Sequence, residues 1–152
     1  MIRNKLIYNL IDNKLTTLTI SSYDLLHIPY ILNAFKLNKS LNELRIEYLN
    51  DDHKYNFNLD IVSKILIRNK SITTLDLRKN CIKSLNPLSE ALKINKSLKK
   101  LILNENDIYD LNPLYDGLIN NNTLEELYLS FNNITDIYPL AKVLETNNTI
   151  KL

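Results

Sequence analysis

The chain contains a single glycine in 152 residues. That excludes the glycine-rich loops that wrap phosphates and most glycine-dependent tight turns. Asparagine tolerates left-handed backbone best after glycine, so the many asparagines are expected to fill such positions. The one cysteine, Cys81, cannot close an internal disulfide, so nothing calls for an oxidising compartment. Basic and acidic residues nearly balance, 19 against 17, for a net charge of +2 and with no long basic run. That argues against a nucleic-acid surface. No apolar run approaches the roughly 20 residues of a membrane span. The start, MIRNKLIYNLIDNKL, is too polar and too often interrupted for a secretory signal. A cytoplasmic protein that engages neither nucleic acid nor membrane is the expectation. With 45% hydrophobic and 24% charged residues, the composition is that of an ordinary folded domain rather than a disordered segment.

What the chain does contain is a period. Three segments align without a gap: SITTLDLRKNCIKSLNPLSEALKINK from Ser71, SLKKLILNENDIYDLNPLYDGLINNN from Ser97, and TLEELYLSFNNITDIYPLAKVLETNN from Thr123. The register extends upstream to units starting near Lys14 and Ser40, and downstream to a partial unit at Thr149–Leu152. Only the step from Ser40 to Ser71 is longer, with the excess near Asn50 to Tyr55. It reads as a loop insertion, where solenoids tolerate them. Leu75-Asp76-Leu77 alternates with period two, so the leucines point inward and Asp76 outward. Asn80, Asn106 and Asn132 follow where the chain leaves the strand. A buried amide there must find backbone partners in neighbouring turns. Asn86-Pro87 and Asn112-Pro113 read as helix N-caps followed by proline. Leu88, Ala91 and Leu92 then recur at helical spacing. Asn95, Asn121 and Asn147 fall where a left-handed residue commonly ends a helix.

The shared pattern, LxxLxLxxNxIxxLxPLxxxLxxN, resembles the leucine-rich-repeat family, and more closely its ribonuclease-inhibitor-like type with a short helix in each repeat. Tyr23 and Leu49 replace the ladder asparagine in the first two units. The resemblance implies one domain over residues 1–152, an α/β right-handed solenoid. Its parallel sheet lies on the concave side and its short helices on the convex side. Residues 1–13 carry Leu6, Ile7, Leu10 and Ile11 at helical spacing and are expected to cap the first repeat.

Residues that would carry chemistry are scarce. His27 and His53 lack metal-ligand spacing and read as surface or loop histidines. Cys81, between Lys79 and Lys83, sits on a turn and reads as incidental. Neighbouring carboxylates such as Glu125-Glu126 face opposite sides of a strand and form no acid–base pair. The N-x-[ST] triplets at Asn38, Asn69, Asn95 and Asn147 recur because each repeat ends in Asn and restarts with Ser or Thr. No catalytic residue, metal ligand or cofactor is expected.

Outward strand positions stack into columns, since parallel strands lie about 4.8 Å apart. From these columns a partner-binding stripe is expected at Arg45, Glu47, Tyr48, Asp76, Arg78, Ile102, Asn104, Tyr128 and Phe131. Ile102, Tyr128 and Phe131 are its apolar anchors. Arg45 beside Asp76 and Glu47 beside Arg78 set opposite charges on adjacent strands. The resemblance implies a protein partner on the concave sheet and a non-catalytic scaffold. Its alternatives are an activator of a small GTPase and a fragment of a larger receptor or ubiquitin-ligase adaptor. The last repeat has only Thr149–Leu152 beyond it. The expectation is either that a homodimer through the C-terminal end, further sequence or another partner covers it, or that Leu152 and the last helix serve as a makeshift cap.

Overall fold

Residues 2–27, 30–48 and 57–151 are described by the structure, a computed structural model. The insertion expected at Asn50 to Tyr55, with His53, lies outside them, as do Leu49 and Leu152. Five short strands, β1 (Thr17–Ser21), β2 (Glu43–Glu47), β3 (Thr74–Asp76), β4 (Lys100–Ile102) and β5 (Glu126–Tyr128), form one sheet in chain order. Every neighbouring pair is parallel. Helices alternate with them: α1 (Ile2–Ile11), α2 (Ser22–His27), α3 (Ile31–Leu37), α4 (Leu59–Arg68), α5 (Asn86–Ile94), α6 (Asn112–Leu118) and α7 (Tyr138–Leu144). From α3 onward each helix packs on the next, α3 on α4 through α6 on α7, so every repeat is one right-handed strand–helix turn. Packed helices stand about 8–10 Å apart and strands about 4.8 Å, so the sheet takes the inside of the curve.

The core is one continuous cluster of strand and helix leucines and isoleucines. Leu44, Leu75 and Leu101 are fully buried at the strand centres, and Leu88, Ala91 and Leu92 at the inner face of α5. The helices are too short to persist alone, and this stacking sustains them. Gly117 occupies the position that Ala91 fills one repeat earlier. A Cβ there would come within 3.1 Å of the Ser89 carbonyl and 3.2 Å of Leu92 Cβ, so the close approach of α5 and α6 accounts for the single glycine.

The asparagine ladder forms as expected. Asn106 Nδ2 donates to the Leu77 and Leu103 carbonyls at 3.0 and 2.9 Å, and its Oδ1 accepts the Asn80 and Ile82 N–H groups at 2.9 and 3.0 Å. Asn132 repeats the arrangement against Leu103 and Ile108. In the first repeat, where Tyr23 replaces the ladder residue, α2 follows β1 directly. There the Ser21 hydroxyl accepts the Asp24 N–H at 3.0 Å.

Three local expectations are corrected. Asn95, Asn121 and Asn147 are not left-handed; Asn95 is extended, with φ −69° and ψ 130°. With Asn38 and Asn69 they form a second buried ladder, at the corner from helix to strand. Asn95 Nδ2 donates to Leu66 O at 2.7 Å, one repeat back, and its Oδ1 accepts from the Ser97 and Leu98 N–H groups at 2.9 and 2.7 Å. The amides of the N-x-[ST] triplets are thus buried and engaged.

Nor do asparagines supply most of the left-handed turns. Among the described non-glycine residues with positive φ, only Asn13 is an asparagine; Tyr30, Lys79, Cys81, Glu105 and Phe131 are the others. Lys79, Glu105 and Phe131 are equivalent positions just before the ladder residue, so the ladder itself forces that backbone.

Finally, Asn86 and Asn112 are not N-caps. Leu85 and Leu111 hold that position without a side-chain bond. The bent backbone at these leucines starts each helix one residue early. The first helical N–H groups of Asn112 and Tyr138 are accepted instead by Asp110 and Asp136, at 2.9 and 2.8 Å.

Both ends of the solenoid differ from its middle. At the start, α1 packs on α3 with Leu10 fully buried, and Asn38 Nδ2 donates to the Leu10 carbonyl at 2.7 Å. At the end, Lys151 adds an isolated parallel bridge to Glu126. Among the described residues no helix is long and apolar enough to cross a membrane.

Candidate binding surface

The parallel register produces the expected columns. Thr17, Glu43, Thr74, Lys100 and Glu126 lie side by side, as do Thr19, Arg45, Asp76, Ile102 and Tyr128. All nine stripe residues lie on or just beyond these strands, but they are not equally available.

Asp76 is 3% exposed and Ile102 is 8% exposed, so neither is the open contact residue expected. Both point to the sheet side, yet each has a longer neighbour beside it, Arg78 for Asp76 and Tyr128 for Ile102. Arg78 folds back over Asp76, with Nε 3.0 and 2.9 Å from the two carboxylate oxygens and Nη2 2.9 Å from Oδ2. Arg45 Nε lies 3.9 Å from the same carboxylate on the other side. Ile102, a short aliphatic side chain, stands in register between Asp76 and Tyr128 on strands too close to leave its tip open. The expected charge pattern changes with it. Arg78 engages Asp76 rather than Glu47, and Glu47 pairs with Arg45 on its own strand at 3.1 Å. Residues two apart on a strand share a face, so these pairs form within a strand as readily as across strands. The Asp76 carboxylate, bonded to the guanidinium, raises the Arg78 pKa further.

A second cluster sits at the other end of the sheet. Lys100 Nζ is 2.7 Å from Glu126 Oε2, the Tyr128 hydroxyl donates to that oxygen at 2.8 Å, and Lys100 Nζ lies 4.8 Å from the Tyr128 ring centroid. Hydrogen bonding to Glu126 raises the Lys100 pKa. The bonds from Lys100 and then Tyr128 lower the Glu126 carboxyl below the usual carboxylate range. The expected stripe omitted Lys100 and Glu126, although their opposite charges one period apart signal the pair. Tyr128 is 38% exposed and so held by both neighbours.

Asn104 is half-buried, and its Oδ1 accepts the Ser130 N–H at 2.9 Å, so it is partly a structural residue. Tyr48 is half-buried just after β2. Phe131 is the opposite case: it is 84% exposed on left-handed backbone with φ 57°. Its equivalents Lys79 and Glu105 pair with each other at 3.2 Å.

The remaining chemistry-bearing residues stay dispersed. Cys81 is a free, exposed thiol on the turn after Asn80. His27 ends α2. Among the described residues no three of His, Cys, Asp and Glu cluster to hold a metal ion.

Comparison with known proteins follows the same lines. A leucine-rich-repeat family model matches residues 68–84 and 120–137. No curated protein matches the chain. Among solved structures, the tropomodulin C-terminal domain of Caenorhabditis elegans superposes with a TM-score of 0.68 at 12% identity, covering 96% of this chain and 91% of that one. Leiomodin-1 actin-binding site 2 superposes with a TM-score of 0.71 at 20% identity, covering 97% and 90%. The repeat period, the in-register parallel sheet backed by helices and the family match agree: the chain is a leucine-rich-repeat protein.

Proposed function

We propose that this protein is a non-catalytic scaffold that binds another protein on its sheet face, with Tyr128 and Phe131 as the principal anchors. The observation that carries this reading is Phe131. A bulky aromatic side chain is disfavoured on left-handed backbone by roughly 1–2 kcal/mol, and asparagine or glycine would relieve that cost. It is also left open to water, where it gains little from burial. A residue kept against both preferences is best explained by a contact made outside the chain. Tyr128 ends β5 three residues before Phe131 and is oriented by Lys100 and Glu126, so ordering its side chain on binding costs little.

The charged residues of this face are largely satisfied by one another: Arg45 with Glu47, Arg78 with Asp76, Lys79 with Glu105 and Lys100 with Glu126. Such a face favours a partner recognised by shape and apolar contact, with weak dependence on salt. The fold of leiomodin-1 actin-binding site 2 supports a protein partner as the class of ligand, while its 20% identity carries no partner across. Arg45, Glu47, Tyr48, Arg78 and Asn104 form the surrounding rim. Asp76 and Ile102 support it from below.

The test is quantitative affinity purification from native lysate with the wild type, a Tyr128→Ala/Phe131→Ala double variant and a helix-side Lys142→Ala control. Partners of the sheet face are lost from the double variant and retained by the control. Partners retained equally by all three would refute the assignment.

A further inference from the structure

On the opposite, helical side an open cleft of about 550 Å³ lies between α3 and α4. Tyr30, Asn33, Lys36 and Arg68 bring polar groups to it, and Leu32 and Ile61 bring apolar ones. Elsewhere the described cations divide between ion-paired ones and solitary surface lysines such as Lys5, Lys64 and Lys83. Lys14, Arg45, Arg78, Lys79, Lys93, Lys99, Lys100 and Lys142 each sit within 3.2 Å of a carboxylate. Lys36 and Arg68 have no acidic partner among the described residues. Helix α3 carries no acid, and the only one on α4 is Asp60 in its first turn, away from Arg68 in its last.

Both cations occupy the last turns of their helices, where a positive charge complements the helix dipole. That accounts for the residue type. It does not account for their sharing one cleft with the Tyr30 phenol and the Asn33 amide, with no carboxylate among its lining residues. Tyr30 adds a second anomaly. It is 83% exposed and left-handed, with φ 62°, while its carbonyl accepts the first N–H groups of α3 from Asn33 and Ala34 at 2.9 and 3.1 Å. As at Phe131, an aromatic residue occupies strained backbone beside open space.

We propose that this cleft binds an organic phosphomonoester. The dianion matches the two cations, with the Arg68 guanidinium able to bond two phosphate oxygens at once and Lys36 acting as a point charge. The Asn33 amide supplies a further donor. The apolar body of the ligand lies against Leu32, Ile61 and the Tyr30 ring, which favours an organic ester over inorganic phosphate. A free small molecule and a phosphorylated side chain of a polypeptide present the same group. This site is separate from the sheet face and does not rest on the function proposed for it.

The experiment follows amide chemical shifts of the full chain during titration with phenyl phosphate, inorganic phosphate and a short phosphotyrosine peptide. Saturable shifts confined to Tyr30, α3 and α4 are expected, with phenyl phosphate bound more tightly than inorganic phosphate. Lys36→Gln and Arg68→Gln, both exposed, should each weaken binding roughly tenfold, the loss of one charge-assisted bond. Lys64→Gln, on the same helix but outside the cleft, and the Tyr128/Phe131 double variant should leave it unchanged. Tighter binding of the peptide than of phenyl phosphate identifies a polypeptide source, and equal or weaker binding a small molecule. Absence of saturable shifts overturns the proposal. So does an equal loss in Lys64→Gln, which would mark a diffuse positive field, or no loss in Lys36→Gln and Arg68→Gln, which would leave them as helix-end cations only.

Discussion

Asn106 holds Asn80 in place from one repeat away: its side-chain oxygen accepts the Asn80 backbone N–H at 2.9 Å, and that of Ile82 at 3.0 Å. Its amide nitrogen closes the turn of its own repeat on the Leu103 and Asn104 carbonyls. One buried side chain therefore satisfies backbone groups of two successive turns that have no water to replace it.

Asn106→Ala should destabilise the protein by about 2–4 kcal/mol, because it leaves several buried backbone groups unpaired. Asn106→Asp retains the acceptor and loses the donor, so it should also be destabilising. Asn122→Ala, exposed on the loop before β5, should stay within about 0.5 kcal/mol of wild type. Urea midpoints of the three variants check this. A midpoint for Asn106→Ala equal to that of Asn122→Ala would show that the ladder carries no stability.

Phe131→Gly separates stability from function. Relief of the left-handed strain, offset by the greater freedom of glycine in the unfolded chain, should stabilise the fold by about 0.5–1 kcal/mol. The same change should weaken any sheet-face partner. Calorimetric melting against a binding titration would reveal the opposed signs, and a loss of stability would show that Phe131 packs within the chain.

The Lys100–Glu126–Tyr128 cluster predicts a pH dependence. The folded Glu126 carboxyl titrates below its unfolded value, so the contribution is present above the ordinary glutamate pKa of about 4.3. It is lost as pH falls through the lower folded value. Glu126→Gln should therefore be less stable than wild type near neutrality, and the two should converge in acid. Because the pair is open to solvent, the difference should shrink in high salt. A gap that widens on acidification would contradict the assignment.

Much of this architecture was legible because a repeat writes the same physical problem several times. Leu18, Leu44, Leu75, Leu101 and Leu127 could be placed at strand centres, and Asn80, Asn106 and Asn132 at the ladder, from spacing and alternation alone. Spacing says which residues are equivalent and which way a strand side chain points. It does not say how far the neighbouring side chains reach. Asp76 and Ile102 point outward as their alternation requires. They are nonetheless buried: Arg78 bends over one, and Tyr128, a longer register partner, flanks the other. Asn95 recurs at a helix end as a left-handed cap would. Its amide instead spans to the previous repeat, a partner 29 residues away that no local pattern names. The cleft between α3 and α4 belongs to the same class: Lys36 and Arg68 meet only because two helices stack. Period and polarity, properties of the chain, determined the elements and their faces. Burial and pairing depend on which side chains of other repeats fill the space above a residue, and only the packed structure decided them.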